Sequence, residues 1–174
     1  MAKENYIKTI EAQEAKLQFP HFSKRDAWDL GNIIAQDIVN RKLPASVSIR
    51  LANGLIVYQY IAEGASLFNE YWMTRKFNTA MVLEESGLLT TLKGLEQGQT
   101  MEERGLNMKD YCSCGGSFPI RIKGSGIVAI ALISGLFHFI DHALLVDGIA
   151  KYLKIDQKVP RLPPDAKDPP GRSK

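Results

Sequence analysis

The residue types in this chain that could do chemistry concentrate in Cys114-Gly115-Gly116-Ser117-Phe118-Pro119-Ile120, with Ser134-Gly135-Leu136 and Asp141-His142 just downstream. Gly115-Gly116 could present consecutive backbone N–H groups to an anion, as a nest. Equally, the two glycines could serve a tight bend between strands, where a side chain would clash. They do not make a P-loop, because no Gly-Lys-Ser/Thr follows. Cys114 is a soft ligand or nucleophile by type, although a small buried cysteine is the commoner role. His138 and His142 stand four apart, the spacing that shares one helix face and suits a metal or haem iron. The helix is expected to begin between them, and no third ligand stands at a recognisable offset, which argues against zinc. Asp141 near a helix start favours the dipole and can cap free N–H groups.

A second constellation lies upstream. Trp72, Arg75 and Lys76 stand at i, i+3 and i+4 of a helical segment, with Asn69 and Thr79 beside them. This is a cationic patch next to an aromatic ring, suited to a carboxylate or phosphate. The plainer alternative is a solvated helix face with a structural tryptophan. No Ser-His-Asp set can be argued from one sequence, since such partners meet only in space.

The elements that must carry these residues follow from periodicity. Residues 5–17 read as a helix that Pro20 ends. Ser23 to Asp26 forms a capping box ahead of Ala27, Leu30, Ile34 and Ile38 at helical spacing, in a helix that stops before Pro44. Val47, Ile49 and Leu51 alternate with Ser46, Ser48 and Arg50 as a half-buried strand. Asn53-Gly54 is a type I′ hairpin signal. It leads into a strand from Leu55 to about Ala62, apolar enough to suggest that both its faces are covered. Ser66 to Ser86 is the longest helical segment, with residues 88–95 a short helix and a capped turn at Thr100. A short strand near 111–114, the strand 117–122 and the strand 127–133 form a meander, with Pro119 implying an edge or a bulge. Helical spacing resumes after Gly135. These elements predict an α/β (α+β) fold: a five-stranded antiparallel sheet flanked by helices. Alternating parallel units, and so a Rossmann domain, are excluded.

At 174 residues the chain is read as a single domain over 1–158 and a Pro-rich flexible tail over 159–174, which holds five of the eight prolines. A net charge of +3, partly from Lys167, Arg172 and Lys174, is too small to argue for nucleic acid. The longest apolar run, Ile127 to Ile140, is too short and too interrupted to span a bilayer. No membrane partner and a cytoplasmic location are therefore expected. In a strand, Cys112 and Cys114 would place their Cα atoms roughly 6–7 Å apart, the long edge of disulfide geometry, so reduced thiols are the simpler expectation.

Phe68-Asn69-Glu70-Tyr71-Trp72-Met73-Thr74-Arg75-Lys76, Gly115 to Ile120, Ser134-Gly135-Leu136 and Asp141-His142, taken in order, resemble the haem-degrading/haem-binding domain family. Within it they are most similar to a compact single-domain branch of largely uncharacterised proteins, over about residues 22–155. The resemblance implies a profilin-like outline and assembly into dimers or larger homo-oligomers. It implies haem as the candidate cofactor, because some relatives bind or degrade it. Two departures stand out. The branch usually carries His directly before the Gly-Gly pair, where this chain has Cys114. Leu136 to Ile140 replaces a usually polar, acidic stretch, suggesting a lipophilic pocket wall or a subunit contact.

The combined expectation is a homo-oligomeric protein binding a small molecule, haem or a related tetrapyrrole. Its pocket would be lined by Trp72, Arg75, Lys76, Gly115, Gly116, Ser117, Asp141 and His142, with Arg75 and Lys76 holding carboxylates and Cys114 or His142 approaching a metal. The alternatives are an oligomeric interaction protein without a small ligand, and a haem-degrading enzyme with His142 paired to Asp141 as general acid/base.

Overall fold

Backbone hydrogen bonding requires the chain to pair its strands, and the sheet it builds has the order β1-β4-β5-β2-β3. The computed structural model describes residues 2–166, with side chains from Asn5 onward. In chain order the elements are α1 (Ala2–Lys16), β1 (Gln18–Phe19), α2 (Lys24–Asn40), β2 (Ser46–Leu51), β3 (Ile56–Ile61), α3 (Leu67–Leu83), α4 (Gly87–Gln97), β4 (Ser117–Ile122), β5 (Gly126–Ser134) and α5 (His138–Tyr152), closed by a 3₁₀ turn at Asp156–Lys158. The sheet is mixed rather than purely antiparallel: β1 runs parallel to β4, and the other pairs are antiparallel. The fifth strand is therefore β1. The segment 111–114, expected as a strand, has no ladder partner and is an irregular loop.

Alternation along the strands sorts side chains into two layers. Ala129, Ala131 and Ile133 of β5, with Val47 and Ile49 of β2, pack against Leu30, Ile34 and Ile38 of α2 and Leu145 and Ile149 of α5. Ile130 and Leu132 point the other way, onto Met73 and Ala80 of α3. The polar side of β2 is not solvated as its alternation implied. Ser46, Ser48 and Arg50 are buried, and Arg50 reaches Glu70 (2.7 Å) and Thr74 (2.9 Å) on α3. β3 departs from expectation in the opposite sense. It is the sheet edge, and Ile56 and Ile61 are exposed.

Local signals account for the element ends. Ser23 and Asp26 form the reciprocal capping box that starts α2, and Ser66 with Asn69 forms another that starts α3. The β2–β3 turn is tight, but Asn53 keeps a negative φ while Gly54 has φ +88°. Gly54 N–H donates to Leu51 O (2.8 Å), so the loop is a type I turn closed by a left-handed glycine rather than type I′. Pro119 sits where β4 has no partner on its β1 side, next to a bulge at Ile120/Arg121. α1 builds a small second core with α4, from Ile7 and Ile10 against Leu88, Leu89 and Leu92. Of the stretch expected as a tail, residues 159–166 run along the body: Val159 is buried, and Gln13 donates to Pro160 O (2.9 Å). Residues 167–174, with Lys167, Arg172 and Lys174, lie outside the described residues. No helix among the described residues is long and apolar enough to cross a membrane.

Candidate functional site

The centre of the site is a buried ion pair between the two motif regions. Lys76 on α3 donates to Asp141 Oδ2 on α5 (2.9 Å) and to Ile133 O at the end of β5 (2.7 Å). Both side chains are buried, at 4% and 1% exposure. Burial pulls the Lys76 ammonium down, but the Asp141 charge and hydrogen bond more than restore it, and its pKa stands above the ordinary lysine value. The other Asp141 oxygen accepts from Leu136 N–H (3.3 Å). Gly116 makes room for this arrangement. Its φ is +103°, and a Cβ there would lie 2.5 Å from Lys76 Nζ and 2.4 Å from Ile133 O. Gly115 is equally constrained, since a Cβ would lie 2.4 Å from His138 O. Its N–H points at His138 Nδ1 (3.4 Å), so close packing, not an anion nest, explains this glycine.

α3 also fixes the loop before the glycines. Asn78 donates to Asp110 O, and the Arg75 guanidinium donates twice to Tyr111 O (3.1 and 2.9 Å). Thr79 Oγ1 accepts from Cys112 N–H (3.0 Å). Arg75 also lies over the Trp72 ring, 4.2 Å from its centroid. Arg75 and Lys76, read from sequence as holders of a ligand's carboxylates, are both engaged inside the chain. The fixed loop brings Cys112 and Cys114 into contact, with their sulfurs hydrogen-bonded at 3.2 Å. That bond lowers the Cys114 thiol to about 7, helped by Lys76 and Arg75 against the pull of burial and Asp141. The same bond, with burial, pushes Cys112 up.

A cavity of about 530 Å³ opens over this centre, within the usual range for small-molecule pockets. Lys76, Cys114 and Asp141 line it together with Trp72, His138 and Leu136. Phe68 and Asn69 from the first turns of α3 and Pro44 ahead of β2 complete the wall. Phe68 is 65% exposed and packs edge-on against Trp72, with centroids 6.1 Å apart. Asn69 is positioned by a bond to Ser134 O (3.0 Å). Trp72, Lys76, Cys114 and Asp141, grouped by sequence reasoning into one candidate pocket, all line this cavity. That reasoning missed Pro44, which carries no sequence signal, and it treated His138 only as a companion of His142.

His142 and Ser117 are not on this wall. α5 begins at His138 rather than between the two histidines. Even so, His142 faces α1, where its Nε2 meets Gln13 Oε1 (2.8 Å) and its ring packs near Phe118. It lines a different cavity of about 360 Å³, with Arg161 and Leu162. It is fully buried, and burial alone lowers its pKa to about 3, so it is neutral. Its Nδ1 has no partner among the described residues. Ser117 Oγ accepts from Gly87 N–H (3.1 Å) and ties β4 to the start of α4. Among the described residues, no three His, Cys, Asp or Glu side chains are grouped to hold a metal ion; of the two candidates to approach a metal, Cys114 lines the 530 Å³ cavity and His142 does not.

The family described as "Haem degrading protein HbpS-like" matches residues 22–150. The chain belongs to the HbpS-like family. A UPF0303 protein of Streptomyces avermitilis is 33% identical over 153 residues, covering 87% of this chain and 93% of that protein. The crystal structure of the Ybr137w protein superposes with a TM-score of 0.79 at 26% identity, covering 86% of this chain and 89% of that one. The PduOC:Heme complex superposes with a TM-score of 0.62 at 20% identity, covering 74% and 93%, a likeness of fold. The HbpS-like match thus spans α2 through most of α5, and every residue that lines the larger cavity falls inside it.

Proposed function

We infer that this HbpS-like protein binds a small, planar, largely apolar molecule in the 530 Å³ cavity, and that the molecule is haem or a related tetrapyrrole. One observation carries the reading: a thiol and an imidazole, Cys114 and His138, share a cavity wall with the rings of Phe68 and Trp72. Thiolate and imidazole are the two commonest proximal ligands of haem iron, and aromatic walls suit a macrocycle. The donor set therefore fits the group. Cys114 or His138 would hold the iron, Phe68, Trp72 and Leu136 would hold the ring, and the iron would supply redox chemistry when bound. Lys76 and Asp141, locked together, would set the charge and shape of the cavity floor instead of pairing with propionates. His142 takes no part.

The same reading includes self-association. Phe68 on the cavity wall and its neighbour Leu67 are 65% and 81% exposed, and β3 leaves an apolar strand edge open. A second copy of the chain over these residues would cover surface that water now meets. The test is an absorption titration of purified protein with haem, alongside light scattering for subunit number. A saturable shift of the Soret band at one haem per chain is expected, with an oligomer in solution. A flat titration would overturn the tetrapyrrole reading. An oligomer with a flat titration would favour an interaction protein instead, whose motifs serve assembly.

A further inference from the structure

We propose that Cys112 and Cys114 form a reactive dithiol that reduces hydroperoxides and closes into an intramolecular disulfide in the cavity wall. The geometry carries this. The two sulfurs are 3.2 Å apart, whereas a disulfide needs about 2.0 Å, so closure takes a shift of roughly an ångström. The strand spacing that would have strained such a bridge does not apply, because this segment is an irregular loop. The loop cannot easily carry the sulfurs apart, since α3 grips it at three successive residues, Asp110, Tyr111 and Cys112.

The two thiols are unequal in access. Cys112 is 1% exposed, while Cys114 is half-buried and faces the cavity. This assigns Cys114 as the attacking sulfur and Cys112 as the resolving one. The Cys114 thiolate attacks the outer oxygen of the hydroperoxide. The O–O bond breaks, an S–O bond forms, and the leaving alkoxide takes a proton to become the alcohol. Cys112 then attacks the Cys114 sulfenic sulfur. The S–S bond forms, the S–O bond breaks, and the hydroxyl leaves as water with the Cys112 proton. The dithiol loses two electrons and the hydroperoxide gains them. Two equivalents of an external thiol restore the starting state by exchange. The attack needs no tetrapyrrole, so the inference stands independently of the preceding one.

The experiment adds one equivalent of hydrogen peroxide to the reduced, ligand-free full chain and follows thiols and intact mass. The expected product is monomeric in mass, lighter by two hydrogens, with a Cys112–Cys114 cross-link in its peptides. It should form faster than in the same chain unfolded in denaturant, where nothing holds the two sulfurs in contact. Cys112→Ser should stop at a sulfenic acid on Cys114 that dimedone traps, and Cys114→Ser should consume no peroxide. Unchanged thiols, oxidation at the unfolded rate, a cross-link between chains, or first oxidation at Cys112 would each overturn the proposal. The wild-type measurement alone decides, should either variant fail to fold.

Discussion

Asp141 and His142 are neighbours in sequence, yet they serve different sides of α5. Asp141 turns to α3 and the larger cavity, where it holds Lys76. His142, about 100° further round the helix, turns to α1 and Gln13. One side gathers a charged pair, a thiol pair and exposed aromatic rings. The other side buries a neutral imidazole against an amide, beside a smaller cavity that Arg161 and Asp147 also line. A two-residue motif is thus half site and half scaffold. Shared sequence position says little about shared chemistry when the residues sit on a helix.

The comparison can be broken most forcefully at the ion pair. Lys76→Met should strand the Asp141 carboxylate and cost about 3–5 kcal/mol of unfolding free energy. Adding Asp141→Asn should recover a large part of that loss, measured by chemical denaturation. Additive losses from the two substitutions would mean that the pair is not coupled.

Acid probes the other side of α5. His142 is held neutral with a pKa of about 3, against about 6.5 in the unfolded chain. Between these values the unfolded chain binds the extra proton, so stability falls as pH falls through this window. The group facing the ring from α1 is the neutral Gln13 and from β4 the apolar Phe118. The expected loss is about 2 kcal/mol between pH 7 and pH 5, and His142→Gln should remove that part of the slope. A melt series with the same slope in both proteins would contradict the assignment. The smallest effect concerns Gln13, which bonds both His142 and Pro160 O. Gln13→Ala should cost about 1–2 kcal/mol and leave ligand binding at the larger cavity unchanged, as calorimetry with titration would show.

Much of this scaffold was legible beforehand, where a local signal decided the outcome. The Ser23–Asp26 box, the place of the turn at Asn53-Gly54 and the strand at 46–51, though not the turn's type or the burial of the strand's polar face, each depend on residues a few positions apart. Failures came where distant partners decided. Tyr111 to Cys114 resembles a strand, but Arg75 and Thr79 hold its backbone from α3 instead of a ladder. The true fifth strand, β1, is two residues long, too short for any periodicity. Arg75 and Lys76 read as exposed cations because their partners, Tyr111 O and Asp141, lie 36 and 65 residues away. His142 read as a ligand because nothing near it in sequence points to Gln13, 129 residues away.

The central claim is that ligand chemistry belongs to the Asp141 side of α5 and not to the His142 side. A parallel haem titration of Cys114→Ala, His138→Ala and His142→Gln, read at the Soret band, tests it most directly. The account predicts that one of the first two loses or shifts the band of the wild-type complex, while His142→Gln binds as the wild type does. A band abolished in His142→Gln and intact in both others, with all three variants folded, would contradict it.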